Sequence, residues 1–114
     1  MKLNTYLTYA ILASSISMIM EISANKVRII NTTRDVISAK IEPASLICSN
    51  QEMHIAPQSE QSIDIGECCV QTIRIQGLTG PIRGQTTARA FGNLCKDIKI
   101  IIRRNSDNTL DFVD

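Results

Sequence analysis

The sequence predicts an all-β fold for residues 25–114, a small antiparallel β-sandwich or barrel stapled by disulfides. Apolar residues recur at every second position, as in Ile98, Ile100 and Ile102, which places them on one face of a strand. Isoleucine is prominent among them, and its branched side chain packs well on a pleated sheet. Gly, Pro, Asn and Asp separate the runs at intervals of about 8–12 residues, which is typical of sandwiches and barrels.

Eight or nine short strands are expected, each from a run of alternating or β-branched residues. The first five are KVRIIN, VISAKI, SLIC, EMHI and SIDI, at residues 26–31, 36–41, 45–48, 52–55 and 62–65. The last four are CVQTIRIQ, QTTARA, DIKIII and TLDFV, at residues 69–76, 85–90, 97–102 and 109–113. Ile101 indicates that the second face of its strand is partly covered, and Gly66 or Gly92 is a candidate β-bulge.

Residues 1–24 have the pattern of a cleavable signal peptide. Lys2 precedes a mostly apolar run at residues 7–20, and Ala24 supplies a small residue at the cut. The run is shorter than the roughly 20 residues that cross a bilayer, so no membrane insertion of the mature chain is expected. Removal of this segment leaves residues 25–114 as a single domain that is secreted or periplasmic.

Four cysteines, Cys48, Cys68, Cys69 and Cys95, are expected to form two intramolecular disulfides, because export leads to an oxidising compartment. Neighbouring residues of a strand face opposite sides, so Cys68 and Cys69 are expected to bond different partners. The parity of the flanking residues favours Cys48–Cys69 with Cys68–Cys95 over the swapped pairing. The spacing lacks the closely spaced cysteine pair of a zinc site, so no metal is expected.

The sequence contains little that points to catalysis. His54 is the single histidine, and it is expected at the surface between inward-facing Met53 and Ile55. The acidic residues that a glycosidase would need are scattered near predicted strand ends and turns; they are Glu52, Glu60, Asp64 and Glu67. We therefore predict that the protein is not an enzyme and uses no cofactor.

Charge and aromatic content narrow the class of partner. Without residues 1–24 the chain carries eleven Lys and Arg against ten Asp and Glu, a net charge of +1. Its aromatic residues are then Phe91 and Phe112. Nucleic-acid binding typically uses a basic patch together with aromatic stacking platforms, and this chain has neither in its sequence. No nucleic acid is therefore expected as a ligand. A glycosylation sequon, Asn31-Thr32-Thr33, falls in a predicted turn, and its use is left open.

These features favour a secreted, non-enzymatic binding protein that recognises another macromolecule, expected to be a protein; a secreted effector or virulence factor is one form of this. The widest predicted loop, residues 78–84, brackets Ile82 and Arg83 between glycines. The plain interpretation is a hairpin connection, and the alternative is a protruding tip that binds the partner through Ile82 and Arg83. One alternative is an inhibitor of a protease or other hydrolase that uses this loop. Another is a structural subunit of a surface assembly, joined by strand addition. The sequence leaves the oligomeric state open.

We predict that the exported protein begins at Asn25, because the apolar run ends at Met20 and Ala24 is the best small residue after it. N-terminal sequencing of protein from the periplasm or the medium measures this. Recovery of intact Met1 in a membrane fraction contradicts the prediction.

Overall fold

The computed structural model describes residues 25–113, and the predicted signal peptide lies outside the described residues. The described chain contains eight strands and one 3₁₀ turn. In order they are β1 (Asn25–Asn31), β2 (Ile37–Pro43), β3 (Gln51–Ile55), β4 (Ser59–Gly66), β5 (Val70–Gly77), the 3₁₀ turn (Gly80–Ile82), β6 (Thr86–Leu94), β7 (Ile98–Arg104) and β8 (Leu110–Val113).

The strands form two four-stranded sheets that pack face to face. Sheet A has the order β4-β1-β7-β8, and sheet B has the order β3-β2-β5-β6. The predicted sandwich is confirmed, but the expectation of purely antiparallel pairing is wrong at one place, because β1 and β7 run parallel. Apolar alternation has the same period in both kinds of ladder, so the sequence pattern does not distinguish them.

The core lies between the sheets and is built largely from isoleucine. In β7, Ile98, Ile100 and Ile102 are buried and Ile101 is half-buried on the other face, as predicted. The remaining buried apolar residues come from both sheets and from the 3₁₀ turn; they are Val27, Ile29, Ile37, Ala39, Ile41, Ile55, Val70, Ile73, Ile75, Ile82 and Leu110. Burying each large aliphatic side chain stabilises the fold by about 1.5–3 kcal/mol relative to exposure.

One predicted strand, residues 45–48, is not formed. Residues 44–48 make bends and turns after β2, and the Cys48 amide donates to the Ser45 carbonyl at 3.2 Å. This segment has no neighbouring strand to pair with, and Leu46 and Ile47 are almost fully exposed, at 106% and 95%. The apolar residues at 45–48 therefore predicted a strand that does not form, because no neighbouring strand is there to pair with it.

Both candidate bulge glycines interrupt a ladder. Gly66 and Gly92 have φ of 61° and 74°, in the left-handed region that favours glycine. The β1–β4 register shifts next to Gly66, and the β5–β6 register shifts between Val70 and Thr72, opposite the Gly92 region. The Gly92 bulge lets β6 continue to Leu94, beyond its predicted end.

Successive connections alternate between two ends of the sandwich, because each strand runs opposite to the one before it. The connections β2–β3, β4–β5 and β6–β7 lie at one end and carry all four cysteines, so we call this the cysteine end. The other end holds the β1–β2, β3–β4, β5–β6 and β7–β8 connections. We call it the arginine end after four residues in or beside these connections: Arg34, Arg83, Arg103 and Arg104.

The four cysteines form two disulfides, as predicted, but the favoured pairing is wrong. The bonds are Cys48–Cys68 and Cys69–Cys95. β4 ends at Gly66 and β5 begins at Val70, so both adjacent cysteines lie in a connection where the side-chain alternation of a strand does not apply. All four cysteines are thus oxidised, and such disulfides suggest an oxidising, extracytoplasmic environment.

The side chain of Asn31 ties several strand ends together at the arginine end. Its Nδ2 donates to the carbonyls of Asp35, Ile55 and Ala56 at 2.8, 3.2 and 3.1 Å. Its Oδ1 accepts from the amide and hydroxyl of Thr33 at 3.0 and 2.7 Å. Asn31 is fully buried, so the sequon is inaccessible to a glycosyltransferase once the chain has folded.

We expect Asn31→Ala to lower the free energy of unfolding by about 3 kcal/mol, because it leaves buried donors and acceptors without partners. Chemical denaturation followed by circular dichroism measures this. The matched control, Asn50→Ala, removes an exposed amide and should change stability by less than about 0.5 kcal/mol. Equal effects of the two substitutions contradict the role of Asn31.

The observed disulfide pairing is tested with double variants. Replacing Cys48 and Cys68 by serine should leave a protein with one intact disulfide and no reactive thiol, less stable by about 3 kcal/mol because one loop constraint is lost. Replacing Cys48 and Cys69 instead splits both bonds, so thiol labelling should detect Cys68 and Cys95. The reverse labelling pattern contradicts the pairing.

Candidate functional site

The candidate site is a pocket at the arginine end with a volume of about 590 Å³. It is formed by the β1–β2 connection, the β3–β4 turn, the 3₁₀ turn and the end of β7. Its lining residues are Thr32, Thr33, Arg34, Asp35, Gln58, Pro81, Arg103 and Arg104. Three arginines from two separate segments therefore border one pocket, and Arg83 follows two residues after the lining Pro81.

The positive charge at this end is only partly neutralised. Arg103 pairs with Asp111 at 3.3 Å, and both side chains are about half exposed. Arg104 donates to the neutral amide oxygen of Asn108 at 3.2 Å. The exposed side chains of Arg34 and Arg83 contact no carboxylate among residues 25–113. Three of the four guanidinium groups are thus available to an anionic ligand.

Two aspartates at the arginine end are engaged in local structure. Asp35 accepts from the Thr79 hydroxyl at 3.2 Å, which links the β1–β2 connection to the 78–85 connection. Asp107 accepts from the hydroxyl and the amide of Thr109 at 2.6 and 3.2 Å, and these bonds hold the pKa of Asp107 below its usual range. Asp107 therefore stays ionised to a lower pH than an ordinary aspartate, and its carboxylate is bound within the β7–β8 connection.

Residues 78–84 lie in the connection between the paired strands β5 and β6, as the hairpin interpretation predicts, and they do not form the protruding tip of the alternative. Ile82 is fully buried, so its predicted role as an exposed binding residue is wrong. The 3₁₀ turn folds the loop back onto the sandwich so closely that a Cβ on Gly77 would lie 2.0 Å from the Ile82 carbonyl oxygen. Arg83 is exposed, as predicted, and it extends from a loop that the buried isoleucine anchors.

No local sequence pattern indicates Arg34, Arg103 and Arg104 as neighbours of this loop. The signal that finds them is the strand count, because connections of the same parity lie at the same end of an up-and-down sandwich. The extra strand predicted at residues 45–48 shifts that parity by one. It would place the loop of Arg83 at the end opposite Arg34.

The residues considered for catalysis do not converge. His54 is exposed on β3 beside inward-facing Met53 and Ile55, as predicted. Glu60 pairs with Arg28 at 2.6 Å on the outer face of sheet A, and Glu52 lies on the opposite sheet. Within residues 25–113 no group of three or more His, Cys, Asp or Glu side chains is placed to hold a metal ion.

Two further pockets lie away from the arginine end. A shallow pocket of about 460 Å³ covers the outer face of sheet B around Lys40, Glu52 and Arg74, where Arg74 already pairs with Glu42. A second pocket of about 370 Å³ at the cysteine end is bordered by Ile47 and Ile65 among others. Sheet B therefore presents a largely neutralised face, and the arginine end has the greater excess of charge.

Comparison with known proteins supports the fold. No protein-family model matches the sequence, and no curated protein matches it. The chain is similar to an NMR structure of a protein from Eubacterium rectale, with a TM-score of 0.58 and 16% identity over 80% of this chain and 87% of that one. At this identity the similarity shows a shared fold alone. No helix within residues 25–113 is long and apolar enough to span a membrane.

Proposed function

We propose that this chain is a secreted or periplasmic, non-enzymatic binding protein that recognises an acidic segment of a partner protein at its arginine end. The observation that carries the proposal is the convergence of Arg34, Arg103 and Arg104 on one pocket, with Arg83 in the adjacent loop. A secreted effector is one form of such a protein.

Guanidinium groups suit the recognition of an acidic segment because their planar N–H donors match carboxylates in a bidentate geometry. The segments that hold these arginines are also well fixed, since the Asn31 hydrogen bonds and the buried Ile82 anchor two of the connections. A fixed surface loses little conformational entropy when a ligand binds. Arg34, Arg83 and Arg104 are accordingly the residues that we assign to partner recognition.

Inhibition of a hydrolase is the weaker alternative. An inhibitory loop must enter an active-site cleft, whereas residues 80–82 form a 3₁₀ turn whose Ile82 side chain is buried in the sandwich. The region offers a broad basic surface instead of an extended strand. We therefore favour recognition of an acidic segment across several connections.

We expect a variant with Arg34→Ala, Arg83→Ala and Arg104→Ala to bind an immobilised Glu-Ser repeat peptide at least tenfold more weakly than the unaltered protein. Each exposed ion pair contributes about 0.2–1 kcal/mol, so three together correspond to roughly a factor of ten. Biolayer interferometry at two salt concentrations measures the affinity, and the difference should shrink as salt increases.

The matched control replaces Lys40, Lys96 and Lys99 by alanine, which removes the same charge from exposed positions away from the pocket. An equal loss of binding by this control indicates a net-charge effect and contradicts a site at the arginine end. Tighter binding to a duplex oligonucleotide than to the acidic peptide contradicts the protein partner. Coincident melting curves for all variants exclude unfolding as the cause.

A further inference from the structure

The outer face of sheet A carries a row of aliphatic side chains beside the arginine end. Ile30 of β1 lies directly opposite Ile101 of β7, and Ile101 lies opposite Val113 of β8. Their chain neighbours Ile29 and Ile100 are buried in the core, and successive side chains of a strand point to opposite faces. The three aliphatic residues therefore face away from the core, and we call Ile30, Ile101 and Val113 the outer row.

The outer row forms a continuous apolar strip across three adjacent strands. Each member is half-buried, and the strip is about 10 Å long because neighbouring strands lie about 4.8 Å apart. Cross-strand pairs of this kind stabilise a sheet. Unlike single aliphatic residues scattered over a surface, the aligned row also presents enough apolar surface for one or two aliphatic side chains of a ligand.

The charges that flank the outer row present no unpaired acid. Glu60, which lies opposite Ile30, is bound by Arg28 through both carboxylate oxygens at 2.6 and 2.8 Å. On the side of the arginine end, Arg103 pairs with Asp111 at 3.3 Å. An acidic segment can therefore pass over the row without meeting a free carboxylate.

The outer row adjoins the candidate pocket at the arginine end. A depression of about 700 Å³ borders Ile30 and shares Thr32 and Gln58 with that pocket. Arg103 lines the pocket and lies two residues from Ile101 on the same face of β7, about 7 Å along the strand. Thr32 is fixed against β7 by hydrogen bonds from its amide and hydroxyl at 3.0 and 2.7 Å. The pocket and the outer row thus form one continuous surface.

A second copy of the chain is a poor occupant of the outer row. Stable interfaces bury roughly 800 Å² on each partner. The row offers three half-buried side chains in a strip about 10 Å long. This apolar area suits a few side chains of a bound segment and is insufficient for a dimer.

We propose that the partner segment recognised at the arginine end is amphipathic, with acidic residues that bind Arg34, Arg83 and Arg104 and neighbouring aliphatic residues that pack on the outer row. This inference rests on the proposed function, because the arginine end determines where the segment lies. An extended chain advances about 3.3 Å per residue, so about two to four residues separate the acidic and aliphatic positions. Charge attracts the segment, and the aliphatic contact selects among acidic segments.

The experiment compares two synthetic peptides on the exported protein by biolayer interferometry. One is a Glu-Ser repeat, and the other is the same repeat with Leu-Leu at both ends, which serves either chain direction. The leucine peptide should bind at least about fivefold more tightly, the scale of partly burying one large aliphatic side chain. Higher salt should weaken both peptides and preserve their ratio, because salt screens charges and leaves apolar contacts intact.

Variants of the protein test the outer row. Ile30→Thr combined with Ile101→Thr keeps the β-branched shape that suits a strand and replaces apolar surface by hydroxyl groups. It should abolish the advantage of the leucine peptide and leave the affinity for the Glu-Ser repeat within about twofold of the unaltered protein, because that repeat makes no apolar contact with the row. The matched control, Leu46→Thr with Ile47→Thr, alters two exposed aliphatic residues of the cysteine end and should retain the advantage. Melting curves confirm that all variants fold.

Isoleucine methyl spectra of the exported protein locate the contact. The leucine peptide should shift the methyl signals of Ile30 and Ile101 and leave that of Ile73, in the core of sheet B, unchanged. Shifts that the Glu-Ser repeat produces equally contradict an aliphatic contact on the outer row.

Failure of this inference and failure of the proposed function give different results. Equal affinities of the two peptides, or an advantage that survives the substitutions at Ile30 and Ile101, remove the outer row, whereas binding that still depends on the arginines keeps the arginine end. Loss of the advantage in the control places the leucines at the cysteine end. Leucine-dependent binding that the triple arginine variant does not change overturns the proposed function and the joint segment with it. Concentration-dependent dimers that the substitutions at Ile30 and Ile101 abolish identify a second copy as the occupant.

Discussion

The amide side chain of Asn31 is the constraint on which the arginine end depends. It lies at the end of β1, and its five hydrogen bonds reach the β1–β2 connection and the end of β3 on the other sheet. A buried polar group with all its bonds made fixes one arrangement of the backbone, because any other leaves groups unsatisfied. The two sheets are therefore joined here by polar contacts, and the β1–β2 connection that bears Arg34 is held in place.

The opposite end is held by covalent bonds. Cys48–Cys68 and Cys69–Cys95 link the three connections of the cysteine end, where Leu46 and Ile47 are exposed to solvent and contribute little to the apolar core. A domain of this size buries only a modest fraction of its surface, so covalent links supplement its core. The disulfides thus hold the cysteine end while Leu46 and Ile47 remain exposed.

The sequence was sufficient for the parts of the fold that follow from local periodicity. The alternation in β7 predicted its buried face, and the candidate bulges at Gly66 and Gly92 coincide with register shifts in the ladders. The sequence was insufficient where strand formation or disulfide pairing depends on a segment that is distant in the chain. Residues 45–48 have the composition of a strand but no strand to pair with, and the pairing of Cys68 and Cys69 depends on where β4 and β5 end.

The contrast between local patterns and contacts distant in sequence also explains which residues of the candidate site could be predicted. Arg83 was predicted to be exposed because glycines flank it, and it is exposed, but Ile82 faces the core because the 3₁₀ turn packs against Gly77. No local pattern connects Arg34 with Arg104, which are brought together by the parity of the connections. A functional surface assembled from separate connections becomes predictable only when the number of strands is correct.

The net charge of +1 conceals an uneven distribution of paired and unpaired charges. At the edge of β4, Glu60 is paired with Arg28, and Asp64 lies opposite Lys26 in the β1 ladder, so acidic and basic groups balance there. At the arginine end, three arginines have no carboxylate partner among residues 25–113. An acidic ligand is therefore attracted more strongly to the arginine end than to the edge of β4, and this attraction weakens as salt screens the charges.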